Sequence, residues 1–176
     1  MILRTYFGSA TTSIDDVRTT LWNTPAGGGD NEQSAILEQY KVYVEMADRI
    51  SARRSLTNTF FLTLNTAIFA AIGTLLRDPH VVVAWLLVFP LLALLVQCFA
   101  WFFLVRSYRQ LNAAKYTVVG ALEERLPASP YWSAEWKALG EGRDKAKYWP
   151  LTHLEQWVPV LFAATYIATF IAVAAR

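Results

Sequence analysis

The chain has 176 residues, more than half of them apolar, with a formal charge of only +2. That length holds one compact domain, and so weak a positive balance excludes the electrostatic footprint of a nucleic-acid binder. A single cysteine, Cys98, excludes an intrachain disulfide and any cysteine-built zinc site.

Residues 1–29 read as an independent polar arm. No sustained apolar run follows Met1 to Phe7, so insertion into a membrane is expected from internal segments rather than a leader. Ser13 is placed to cap a short helix from Ile14, with Asp15 and Asp16 in its favourable first turn. Gly27, Gly28 and Gly29 form a joint.

Asp30 opens a second helix, with Gln33 three residues on as in a capping box. From there to Leu76 there is no proline, and no glycine before Gly73. Ile36, Leu37, Tyr40, Tyr43, Val44, Ala47 and Ile50 keep a helical apolar period. The pattern predicts one helix of about 45 residues, with 30–55 in the cytoplasm and 56–76 as the first span. Arg77, Asp78, Pro79 and His80 then make a link short enough to impose a helical hairpin.

The second span is expected over 81–105, with Pro90 kinking it. Its helix is expected to continue past Arg106, with Tyr108, Leu111, Lys115, Val118, Val119, Leu122 and Leu126 on one mostly apolar face. Glu123 and Glu124 mark a polar one, and Pro127 and Pro130 end the helix. The face is the natural antiparallel partner for the stripe on 36–50. Tyr131, Trp132 and Trp136 follow on a short helix, and Thr152 with Glu155 can cap the last one. The third span is expected over 157–175, so 106–156 is a polar helical region between spans. The fold class is all-α: three transmembrane helices, the first two extended into a cytoplasmic bundle.

Lysine and arginine set the orientation. Fourteen lie before residue 56 or in 106–156, and only Arg77 and Arg176 lie on the other side. The positive-inside bias therefore predicts a cytoplasmic N-terminus and an outward C-terminus in a bacterial inner membrane. Trp101, Trp149 and Trp157 fall near the expected boundary, as an aromatic belt would.

A set of residues then carries a family resemblance. It includes Tyr108-Arg109-Gln110-Leu111-Asn112, Lys115-Tyr116, Leu122-Glu123, Leu126-Pro127, Pro130-Tyr131, Glu135-Trp136, Lys147-Tyr148, Pro150-Leu151-Thr152 and Val158-Pro159. Upstream, Tyr40-Lys41, Ala47-Asp48-Arg49, Ser51-Ala52-Arg53-Arg54, Phe60-Phe61 and Leu64-Asn65 fit as well. Over roughly 36–165 this resembles the RipA family of octameric bacterial membrane proteins. The resemblance implies a homo-octamer in the cytoplasmic membrane and carries no catalytic residue.

Candidate functional residues are few. Ser51, Asn58, Asn65 and Ile72 recur every seven positions on one helical face. Asn58, Asn65 and Thr66, with Gln97 of the second span, are read either as hydrogen-bonding glue between helices or as the lining of a hydrated path. Arg53, Arg54, Arg106, Arg109, Lys145 and Lys147 stand near the inner boundary, where they hold topology or meet anionic lipid head groups. Trp132 and Trp136 form a bundle core or a docking surface. His80 and His153 belong to opposite sides, so no metal site is expected, and no catalytic or cofactor motif occurs. The expected function is a homo-oligomeric membrane platform, not an enzyme, whose partners are further copies of itself and membrane lipid. A channel and a lipid-modifying enzyme (Asp48, Arg49, Arg109, His153, Glu155) are the alternatives.

Overall fold

The structure is a computed structural model that describes residues 13–23, 30–75, 87–141, 144, 146–148 and 151–175. The side chains of residues 30, 75 and 151–153 are not among those described. The link 77–80, the glycine joint, Arg143, Lys145 and Trp149 therefore lie outside the described residues, as do the side chains of Asp30, Thr152 and His153 that bear on the two expected capping boxes and the histidine reading.

All regular structure among the described residues is helical. α1 spans Ile14–Leu21, α2 Asp30–Leu75, α3 Val88–Glu123 and α4 Leu151–Ala174. A π-helical turn, Pro130–Glu135, runs into one α-helical turn, Trp136–Ala138. α2, α3 and α4 are each long and apolar enough to cross a membrane. The 46 residues of α2 form the single long helix that an absence of breakers predicts. The described part of α3 begins at Val88 and runs on through Pro90. Pro159 lies inside α4 and withholds the N–H that would bond the Glu155 carbonyl.

The chain forms two compact units, each drawing on α2 and on α3. The polar unit is Met1–Ala52 with Tyr108–Trp149, and the span unit is Arg53–Ser107 with Pro150–Arg176.

In the polar unit α2 buries Ile36 and Ala47. On the same side, Lys115 Nζ of α3 lies 4.5 Å from the centre of the Tyr43 ring. Asn112 Nδ2 donates to Ser51 Oγ at 3.3 Å. Arg125 reaches Glu32 at 3.4 Å and stacks its guanidinium 3.5 Å over Trp22. α1 starts as expected, with Ser13 Oγ accepting from Asp15 N. Its helix is docked rather than independent. Val17 is buried, and Arg18 Nε donates to Glu124 Oε2 at 2.8 Å. That contact holds the Glu124 carboxyl below the ordinary glutamate range and the Arg18 guanidinium above its own.

The span unit has its core at Leu94, Cys98 and Tyr166, with Ile68, Ile72, Leu91 and Phe162 packed against them. Trp101, expected at the membrane boundary, is instead buried between helices and stacks on Phe61 at 5.6 Å. Its indole N–H has a partner inside the protomer, which removes the reason for it to seek the interface. Trp157 is exposed, as a belt residue would be.

Candidate functional site

The seven-residue polar face of α2 meets other helices at each step. In the span unit Trp101 Nε1 of α3 donates to Asn58 Oδ1 at 2.9 Å. One heptad on, Asn65 is fully buried. Its Nδ2 donates to the Phe61 carbonyl at 2.8 Å. Its Oδ1 takes the Tyr166 hydroxyl of α4 at 3.0 Å and the Cys98 thiol of α3 at 3.8 Å. The Tyr166 hydroxyl is also 3.1 Å from the Asn65 carbonyl oxygen. One amide thus ties three helices together in a region where an unmet polar group costs several kcal/mol, about 1–3 by mutational measure. Asn65 has no surface left with which to line a path. Thr66 is exposed. Gln97 is partly buried, and its Nε2 has no hydrogen-bond acceptor among the described residues.

Just before the expected spans, the Arg54 Nε and Glu155 Oε2 atoms approach to 3.3 Å. Both atoms are buried and neither makes a well-angled hydrogen bond, so the contact is an ion pair and not a hydrogen bond. Glu155 also borders a cleft of about 230 Å³. Ser55, Asn58, Thr59 and Glu155 give it polar groups, while Leu62, Trp101 and Val158 give it apolar wall. Arg53 is exposed beside Arg54, and Arg106 is half-buried in the same unit.

The polar unit holds a second buried node that sequence reasoning missed. Glu123, expected on the polar face of α3, is buried at its last turn. Its carboxylate accepts from the Tyr40 hydroxyl at 3.0 Å and the Ser129 hydroxyl at 2.7 Å. It also accepts from the backbone N–H groups of Tyr131 at 3.1 Å and Trp132 at 3.0 Å. A carboxylate has about four lone-pair sites, and four donors fill them. Two of those donors are among the first N–H groups of the π-helical turn, which have no partner within it. Burial, then the Glu123 hydrogen bond, raises the Tyr40 phenol well above its ordinary value, which keeps it a donor.

Gly120 completes this corner. A Cβ there would stand 2.5 Å from Trp132 Cδ2, so only glycine lets the indole lie flat on α3. Trp132 and Trp136 are nevertheless exposed on their outer sides, as are Tyr116 and Tyr131. They are not the core of the bundle within one protomer. The core there is Val119, Ala121 and Leu122. Arg109 is half-buried and Lys147 exposed, both in the polar unit and apart from the cleft residues in sequence.

Residues 37–175 match the octameric membrane protein family, 8xMP. The chain belongs to that family. The match takes in α3, α4, both polar nodes and the cleft, and leaves out α1. No curated protein and no solved structure matches the chain. Among the described residues no group of three or more histidine, cysteine, aspartate or glutamate side chains is arranged to hold a metal ion.

Proposed function

We propose that this 8xMP protein is a homo-octameric module of the bacterial cytoplasmic membrane whose polar unit, on the cytoplasmic side, serves as a structural or interaction platform. The observation that carries the reading is the polar unit's surface. It presents Val42, Met46, Leu111, Tyr131, Trp132 and Trp136 to solvent, where no lipid is available to cover them and a further copy of the chain is. The family's octameric description supports the same copy number. A pore lined by the first span is weaker, because Asn65 is enclosed and Asn58 is bonded to Trp101.

Native mass spectrometry in mild detergent tests this. The expected species is an assembly of eight 19.9 kDa chains; a monomer at every detergent and concentration would overturn the reading. The cleft favours a second, compatible role as a seat for a membrane lipid. Its polar groups stand where head groups lie, and its apolar wall suits an acyl chain. In the same spectra Leu62→Trp, which fills the cleft, is expected to strip bound-lipid mass from the assembly. Equal lipid retention would remove that role.

A further inference from the structure

In the span unit, exposed leucines and phenylalanines meet acyl chains and need no protein partner. The polar unit has no such cover, and among its described residues apolar side chains are exposed on α2 and on an aromatic surface. The first is on α2. Ala35, Gln39, Val42, Met46 and Arg49 alternate spacings of four and three, and all five are exposed. Val42 is 53% and Met46 43% accessible. Such spacing is the seam of a helix–helix contact. The face that α2 turns to α3 is a different one, carrying Ile36, Tyr40, Tyr43 and Ala47. Among the described residues nothing covers Val42 and Met46 of the seam.

The second surface is aromatic. Tyr116 and Tyr131 have ring centres 6.4 Å apart, and Trp132 and Trp136 are 42% and 49% accessible. This surface is built rather than loose. Glu123 fixes the backbone of Tyr131 and Trp132, and Gly120 seats the indole. Rigid, half-exposed aromatics are the side chains that carry binding energy at interfaces.

Symmetry relates the two. Charges that give every copy one orientation in the bilayer exclude two-fold axes in the membrane plane. Eight copies then close as a ring about the membrane normal, and each meets its neighbours through two different faces. We infer that the aromatic surface around Trp132 and Trp136 of one protomer packs onto the Val42–Met46 seam of the next. This rests on the octamer proposed above. A thioether against aromatic rings is a favourable contact in its own right.

The test is cysteine cross-linking in the full-length protein, in Cys98→Ala, read on non-reducing gels beside native mass spectrometry. Met46→Cys and Trp136→Cys in one chain should give a ladder ending at eight copies. Each cysteine alone should give no covalent dimer. A dimer from either single variant would show like faces meeting and overturn the inference. So would an intact octamer that yields no ladder, or a cross-link confined to one chain. These leave the octamer standing, whereas a wild-type monomer removes both. As a second variant, Val42→Glu is expected to dissociate the octamer while the helical signal and monomer melting stay unchanged; an intact octamer would count against the seam.

Discussion

Glu123 and Asn65 are both buried polar side chains, and each takes at least one hydrogen bond from an element far away in sequence. They differ in charge and in the kind of donor they collect. Glu123 gathers two hydroxyls and two backbone N–H groups, so it organises a chain reversal. Asn65 gathers a hydroxyl and a thiol and donates one N–H back to the Phe61 carbonyl of α2, so it pins helices together through side chains. The contrast follows the surroundings. A loop with loose backbone donors can repay a buried carboxylate with four bonds. Within a span the helical N–H groups past the first turn are spent within the helix, so side-chain donors remain and a neutral amide is the cheaper choice.

If that distinction holds, Glu123 is much the costlier residue to lose. Glu123→Ala strands two backbone N–H groups and two hydroxyls, each able to cost about 1–3 kcal/mol. The expected loss is about 3–4 kcal/mol, near the top of the range for single substitutions. Hydrogen exchange should show it as lost protection over 129–136, with α2 and α3 of the span unit unchanged. A uniform loss of protection would mean that Glu123 supports the whole fold and not the reversal.

The Asn65 node should be weaker. A double-mutant cycle of Asn65→Ala with Tyr166→Phe isolates the hydroxyl–amide contact. Couplings between membrane helices average about 0.6 kcal/mol and reach about 1.7. A three-helix junction places this one at the upper end, measured by unfolding in bicelles. A coupling near zero would make Asn65 a packing residue whose hydrogen bonds are replaced by others when it is lost.

Reading order in the sequence explains why one node was visible and the other was not. Asn65 stands out as a polar residue in an apolar run, seven positions from Asn58, and the heptad points at a helix contact. The face is the one that meets Trp101 and Tyr166. The three spans and the length of α2 were legible for the same reason, because period and apolarity are local. In sequence Glu123 is half of an acidic pair that marks a polar face. Nothing local tells it from Glu124, yet one is buried and the other half-exposed beside Arg18. Only the return of 129–132 over the end of α3 separates them, and that return is tertiary. The proline before the turn and Gly120 twelve residues ahead of Trp132 were the available signals. A tryptophan near a span end, such as Trp101, suits the interface and the interior equally until its N–H partner is known.

The exposed Arg18–Glu124 pair supplies the smallest effect and the control for both nodes. Its side chains keep 47% and 33% of their accessibility, so solvent and salt screen the contact. Glu124→Gln should loosen α1 docking only slightly and leave the rest of the polar unit intact. The sign with pH follows from the carboxyl being held low. Arg18 stays charged throughout, so the contribution is full above the unfolded glutamate value of about 4.3. It falls away as pH drops through the lower folded value. Salt near 1 M should act in the same direction at neutral pH. Hydrogen exchange over Ile14–Leu21 reads the docking directly. Release of α1 by acid in the wild type but not by salt would mean that buried Val17 and the Arg125–Trp22 stack hold the arm, and that acid acts through a carboxyl other than Glu124.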